Sequence, residues 1–177
     1  MSIILGIDPG SRITGFGIVR VESSKKVYVN SGCIRLGAGS VAQRLYKISQ
    51  ELQSIVQHYQ PIVVAVEQIF FHRNPTAALT LGQARGAAIL GATGGVIPLA
   101  EYSARQVKQS VVGYGAASKQ QVQQMVRVLL SLDDTPASDA ADALAIALCH
   151  AQYLQTHPLL RDAQLLVKNK FRRGRRR

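Results

Sequence analysis

The segment 62–66 (IVVAV) constrains the fold more than any other, because it is a continuous apolar run rich in β-branched residues. Such a run predicts a strand that is buried on both faces of its sheet. A strand of this kind requires covering elements above and below the sheet. Glu67 follows the run directly, so an acidic side chain is expected at the end of a buried strand.

Three shorter strand patterns precede this run, at residues 3–8 (IILGID), 15–21 (GFGIVRV) and 27–34 (VYVNSGCI). The connections between them are short and contain turn residues, which favours an antiparallel meander. A fifth strand is predicted at residues 96–100 (VIPLA), and Pro98 places it at an edge of the sheet because proline cannot donate to a ladder.

Helical spacing of apolar residues predicts a helix over residues 41–59, and a segment rich in Ala, Leu and Gly predicts a second helix over 75–92. A third helix follows Ser118, which forms a capping-box pattern with Gln121. Thr135 followed by Pro136 predicts the N-terminus of a last helix that runs to about His150. Together these elements predict an α/β fold with a mixed five-stranded sheet and helices on both faces.

The formal charge of +11 predicts a polyanionic partner, either nucleic acid or a membrane surface. Seven basic residues lie in the last ten positions, 168–177. We therefore expect one domain over residues 1–157 and a disordered basic tail over 158–177, which either binds phosphate or only aids solubility. No run is long and apolar enough to span a bilayer, and the first residues lack a signal-peptide pattern, so a cytoplasmic protein with reduced Cys33 and Cys149 is expected.

Four acidic residues lie within or at the ends of apolar segments, where an unpaired carboxylate is costly. They are Asp8, Glu67, Asp139 and Asp142. Asp139 and Asp142 are three residues apart, so a helix presents both on one face near its N-terminus. If the strands ending at Asp8 and Glu67 are parallel neighbours with this helix across their ends, the four carboxylates converge.

Converging carboxylates repel one another unless divalent cations neutralise them, and oxygen ligands suit Mg²⁺ or Mn²⁺. Two such ions can activate a water and stabilise a leaving 3′-oxygen at phosphorus. A basic protein with this cluster is therefore interpreted as a nucleic-acid phosphodiesterase. Taken singly, each acid is equally compatible with a turn, a helix cap or an ion pair. Glu101, a fifth acid after an apolar run, is interpreted as a structural ion-pair partner.

Five motifs resemble those of RuvC Holliday junction resolvases in order and spacing: GIDPGS at 6–11, VEQIF at 66–70, LGQARG at 81–86, ARQVKQSVVGYG at 104–115 and DAADALA at 139–145. The resemblance implies an RNase H-like fold and Mg²⁺-dependent, paired, symmetric nicking of two strands of like polarity in a four-way DNA junction. It also implies a homodimer and cooperation with the branch-migration proteins RuvA and RuvB. The family's catalytic carboxylates fall on Asp8, Glu67, Asp139 and Asp142; the family pattern also allows His at the third position.

The same resemblance implies a set of DNA-binding residues. Lys108 and Lys119 match positions that contact phosphates, beside the glycine-containing loop 113–115. Phe70 matches an aromatic position used against an unpaired base near the crossover, although Phe71 blurs that match. Arg73 completes the set. Each of these side chains is also compatible with an ordinary role, the lysines in solvent and Phe70 in the core.

Three other functions are compatible with parts of the sequence. An actin-like or sugar-kinase-type ATPase shares an acidic first-strand end, but its two-lobed fold is large for 177 residues. A non-catalytic DNA-binding protein leaves the four acids unexplained. A third alternative is another RNase H-like nuclease, such as one that cuts RNA–DNA hybrids.

Overall fold

The computed structural model describes residues 1–23, 25–68 and 74–157. Its elements follow the order β1 (Ser2–Asp8), β2 (Ile13–Glu22), β3 (Lys25–Arg35), α1 (Val41–Tyr59), β4 (Val63–Glu67), α2 (Pro75–Thr93), β5 (Leu99–Tyr102), α3 (Ala104–Val112), α4 (Lys119–Leu129) and α5 (Ser138–Thr156).

The strands form one five-stranded sheet in the order β3-β2-β1-β4-β5. β1, β2 and β3 pair antiparallel, whereas β4 runs parallel to β1 and β5 runs parallel to β4. The predicted meander and the mixed five-stranded sheet are therefore confirmed. The parallel pairing of β1 with β4 brings the carboxyl ends of both strands to the same edge of the sheet.

Helices cover both faces of the sheet, as the buried run at 62–66 predicts. Successive residues of β4 alternate between the two faces, so Val63 and Ala65 belong to one apolar core and Val64 and Val66 to the other. The first core includes residues of α3, α4 and α5, and the second includes residues of α1 and α2. We call these two sides the α5 face and the α1 face.

Glycines on the α5 face allow helix α5 to lie unusually close to the sheet. A Cβ atom at Gly6 would be 2.1 Å from the Ala143 carbonyl oxygen, and one at Gly17 would be 2.6 Å from the Leu144 backbone nitrogen. Any side chain at these positions would push the helix outward. The close approach buries α5 almost completely along its length, from Ala140 to Leu154.

Most helix ends follow their sequence signals. Ser118 caps α4, and its side chain accepts from the Gln121 backbone nitrogen while Gln121 reciprocates, as the capping-box pattern predicts. The prediction for α5 was wrong at both ends. Its N-cap is Ala137, without a side-chain hydrogen bond, and it continues to Thr156. The Pro136 carbonyl oxygen instead accepts from the Gln123 side chain, which holds the preceding loop outside the helix.

Two further elements differ from the sequence prediction. β5 begins at Leu99 rather than at residue 96, because the chain pairs with β4 only from there, although its edge position is confirmed. Helix α3 was not predicted, although Ser103 and Gln106 form the same capping box as the one that begins α4. None of the helices in the described ranges has the length and apolar character needed to cross a membrane.

Candidate active site

Two strand ends form the floor of the candidate site. Asp8 is the last residue of β1 and Glu67 is the last residue of β4. Ile7 is registered with Val66 in the parallel ladder, so the next residue of each strand lies side by side with the other. Strand alternation directs both carboxylates to the α5 face, the face that Gly6 and Ala65 also occupy.

The other two carboxylates belong to residues in the first turns of α5. Asp139 and Asp142 are three residues apart on this helix, so they lie on one side of it. Gly15 on β2, which is registered with Asp8, allows this helix end to approach, because a Cβ atom there would be 2.0 Å from the Asp139 carbonyl oxygen. The juxtaposition that the sequence predicts, strand ends beneath the start of the last helix, is therefore the one the fold produces.

The four carboxylates act on each other electrostatically. The pKa of Asp8 is raised to about 7, first by burial and then by the negative charges of Asp142 and Glu67, with a smaller effect of Asp139. The pKa of Glu67 is also raised, by burial and then by Asp142. Concentrated negative charge is thus energetically unfavourable here without a cation.

Lys119 supplies a positive charge within this cluster. Its Nζ atom lies 2.6 Å from Asp142 Oδ2. This hydrogen bond is the main cause that raises the pKa of Lys119, and the charges of Asp142, Asp8 and Asp139 raise it further. Lys119 is the first residue of α4, so the Ser118 cap fixes the point from which its side chain reaches the acids. The family resemblance places Lys119 on DNA, whereas the structure places it on a carboxylate.

Lys108 lies on the same side of the site. It is partly buried on α3, and its charge acts to lower the pKa of Glu67. The adjoining loop contains Gly113, which ends α3 at a φ of 93°, a conformation that favours glycine. Both lysines of the predicted DNA-binding set are thus close to the acids. Phe70 and Arg73, the other two members, lie outside the described residues.

The donor set of the site is suited to a hard divalent cation, because all four acidic side chains offer oxygen atoms only. Within the ranges that the structure describes, no group of three or more His, Cys, Asp and Glu side chains is arranged to hold a metal ion as it stands. Lys119 already neutralises Asp142, and the remaining carboxylates repel one another. The chemistry of the residues fits a divalent cation, and burial together with mutual repulsion disfavours the charged form of Asp8 and Glu67 without one.

Glu101 is an ion-pair partner, as predicted. Its carboxylate pairs with Arg85 of α2. Arg85 was not singled out from the sequence, yet its Nε atom also donates to the Glu67 carbonyl oxygen at 3.3 Å. One guanidinium therefore connects α2 to the ends of both β4 and β5, directly behind the Glu67 side chain. Its position in the LGQARG motif was the sequence feature from which a role for Arg85 could have been predicted.

Comparisons with known proteins agree on one family. The family model described as "Crossover junction endodeoxyribonuclease RuvC" matches residues 4–150. Proteins of that name from Marinobacter nauticus and Tolumonas auensis are both 54% identical to the chain, the first over 99% of this chain and 98% of its own length, the second over 88% and 90%. The structure titled "T. thermophilus RuvC in complex with Holliday junction substrate" matches with a TM-score of 0.82 at 34% identity, over 88% of this chain and 96% of that one.

Proposed function

The chain belongs to the RuvC family of crossover junction endodeoxyribonucleases, has its RNase H-like fold, and is a DNA-hydrolysing nuclease that depends on a divalent metal. On this basis we propose that it resolves four-way DNA junctions by paired, symmetric nicks in two strands of like polarity, during DNA recombination and repair. The observation that carries the proposal is the meeting of Asp8 and Glu67, at adjacent parallel strand ends, with Asp139 and Asp142 at the start of α5. The arrangement of the carboxylates supports phosphodiester hydrolysis, and membership of the family supports a branched DNA substrate.

We assign metal binding and catalysis to these four carboxylates. Mg²⁺ is the proposed cofactor, with roughly two ions per site and Mn²⁺ able to substitute, because oxygen-only ligands favour hard cations. Bound metal supplies an activated water and stabilises the charge on the leaving 3′-oxygen. The chain's own contribution is rigidity: a ladder fixes Asp8 beside Glu67, and a helix pressed onto glycines fixes the other two acids.

Two lysines are proposed to bind phosphates beside the acids. Lys108 and Lys119 place positive charge on the α3 and α4 side of the carboxylates, where the backbone of a bound strand must pass. Lys119 is more than half exposed even while it bonds Asp142, so its side chain remains accessible to a phosphate. Phe70 and Arg73 remain proposed DNA contacts on the basis of the resemblance alone.

A homodimer is proposed because paired nicks across a junction require two sites related by symmetry. Helix α2 carries a suitable surface. Leu79 and Leu90 are 65% and 66% exposed, and both lie on the side opposite the buried alanines of this helix. Gly82 and Gly86 have open space above them, so a second helix can approach closely. We call this surface, formed by Leu79, Gly82, Gly86 and Leu90, the α2 stripe.

Other assignments rest on the resemblance or on composition. We propose that residues 1–157 form the nuclease domain and that the basic tail, residues 158–177, binds DNA without reading sequence. The tail lies outside the described residues. RuvA and RuvB are the proposed partners, and the cytoplasm is the proposed location.

The test is cleavage of a synthetic four-way junction by the purified protein with Mg²⁺, beside a linear duplex and an RNA–DNA hybrid of matching sequence. We expect paired, symmetric nicks in the junction and intact controls. Binding of the junction without cleavage would favour a non-catalytic DNA-binding protein. Cleavage of the hybrid alone would favour another nuclease of the same fold.

A further inference from the structure

Three arginines surround the turn that follows Asp8. Arg12 lies in this turn, and its carbonyl oxygen accepts from the Leu36 backbone nitrogen at 3.0 Å. Arg35 ends β3 and is registered with Ile13. Arg44, on the first half of α1, donates to the Ser11 carbonyl oxygen at 3.3 Å. All three therefore lie at the edge of the sheet where Asp8 and Glu67 lie. We call Arg12, Arg35 and Arg44 the arginine surface.

The arginine surface has no acidic partner. In residues 1–23, 25–68 and 74–157, the ion pairs within 4.0 Å are those of Arg20 with Glu22, Arg85 with Glu101 and Lys119 with Asp142. Arg12 and Arg35 are exposed, whereas Arg44 is partly buried and its Nε atom is buried without a hydrogen-bond partner. Positive charges near one another without a counter-charge are unfavourable. The described residues supply no anion for these three arginines, so an anionic ligand would stabilise them.

The position of the surface relative to the carboxylates indicates its ligand. The sheet order places β3 two strands from β1, roughly 10 Å at the usual strand spacing. Lys108 acts on the charge of Glu67 at the end of β4, and Lys119 pairs with Asp142 within the acidic cluster. Arg35 also lines an open groove of about 720 Å³ between β3 and the loop before α5. Asp133 and Asp134 line the same groove, but neither forms an ion pair with Arg35 within the described residues. A polyanion that crosses the acidic centre thus meets the two lysines there and the arginine surface on the β3 side.

We propose that the arginine surface is a second phosphate-binding site, which holds the DNA backbone on the β3 side of the carboxylates while Lys108 and Lys119 hold it at the carboxylates themselves. The inference rests on the proposed function and adds residues to it. Guanidinium groups suit this role because they bind phosphate oxygens through two parallel hydrogen bonds. Arg44 would bind phosphate and also stabilises the turn after Asp8, because it donates a hydrogen bond to the Ser11 carbonyl oxygen.

A matched pair of variants tests the site. Arg12→Gln with Arg35→Gln removes two charges from the arginine surface and leaves Arg44, whose loss would free the Ser11 carbonyl. Arg20→Gln with Lys25→Gln removes two charges from the opposite end of β2 and β3. Arg20 is eight residues from Arg12 and Lys25 is ten from Arg35, roughly 26 and 33 Å at about 3.3 Å per residue. Junction affinity is measured in EDTA, where no cleavage occurs, at several salt concentrations. We expect the first variant to bind roughly tenfold more weakly, with a salt slope smaller by about two, and the control to stay within about twofold of the parent. Equal losses in both variants would overturn the proposal.

Neutral methylphosphonates in the junction strand locate the contact. Each replaces one phosphate, and the parent protein should lose affinity at a few positions on one side of the cleavage point. The Arg12→Gln, Arg35→Gln variant should lose nothing more at those positions, because its contact is already gone. Losses that simply add at every position would also overturn the proposal. Cleavage of the junction by the parent protein decides the proposed function separately, so the two can fail independently.

Discussion

The backbone of Asp139 lies directly over Gly15, so closely that a Cβ atom on that glycine would be 2.0 Å from the Asp139 carbonyl oxygen. Gly15 is itself registered with Asp8 across the β1–β2 ladder. One contact thus ties the start of α5 to the strand that ends in Asp8. The distance between two of the proposed catalytic carboxylates depends on the absence of a side chain at residue 15.

Gly15→Ala should therefore reduce cleavage more than it harms folding. The added methyl group must displace the first turn of α5, at a cost of about 1–3 kcal/mol for an overpacked site. We expect a folded protein whose single-turnover cleavage rate falls by at least about tenfold, since catalytic geometry tolerates little displacement. Gly39→Ala is the control, because its methyl group would meet mainly the side chain of Gln43. Parent-like cleavage by Gly15→Ala would show that α5 need not lie this close.

Asp8→Asn should stabilise the metal-free protein at alkaline pH. The pKa of Asp8 is about 7 in the folded protein and 3.8 ordinarily, so the unfolded chain loses this proton at lower pH. Stability falls as the pH rises between these values, and the full loss, up to about 4 kcal/mol, is present above pH 7. Urea unfolding in EDTA should show Asp8→Asn more stable than the parent at pH 8 and nearly equal at pH 4.

Asp134→Asn is the control for this measurement, because Asp134 is exposed in the loop before α5 and lies outside the carboxylate cluster. The gain in stability of Asp8→Asn over Asp134→Asn should be larger at pH 8 than at pH 4. A difference between Asp8→Asn and the parent that is the same at pH 4 and pH 8 would contradict the electrostatic description of the site.

Charge in the α2 stripe should separate the dimer. Leu79→Glu with Leu90→Glu places two carboxylates on the surface proposed to meet its copy, so like charges would face each other across the two-fold axis. Sedimentation equilibrium should report a monomer. Val128→Glu is the control, because Val128 on α4 is 68% exposed, close to the exposure of both leucines. A monomeric parent protein, or a dimer that survives the double substitution, would contradict the assignment of this surface.

The convergence of the four carboxylates can largely be predicted from the sequence. Burial of a carboxylate is costly, so an acidic residue inside an apolar segment indicates a functional or paired side chain. Asp8 and Glu67 follow uninterrupted strand patterns, and Asp139 and Asp142 lie in an apolar helix. Period-two alternation then places the strand acids on one face. Convergence follows once β1 and β4 are parallel neighbours, which the order of elements favours.

Other features depend on tertiary contacts that no local pattern contains. The ion pair between Lys119 and Asp142 joins residues on two helices. The N-terminus of α5 is set by packing on Gly15 and by the Gln123 bond to Pro136, and these overrule the Thr135-Pro136 signal. Arg85 acquires its role only because α2 lies behind the end of β4. Helix α3, in contrast, was predictable from Ser103 and Gln106.

Single-turnover cleavage of a four-way junction with Mg²⁺ by Asp8→Asn tests the assignment of the active site, with junction binding measured on the same preparation and Asp134→Asn as control. Removing one carboxylate should abolish detectable cleavage, because the metal-binding set is incomplete, while the basic surface still binds. We expect parent-like binding without nicks for Asp8→Asn, and paired nicks for Asp134→Asn. Cleavage by Asp8→Asn at the parent rate would contradict the assignment of the active site to this cluster.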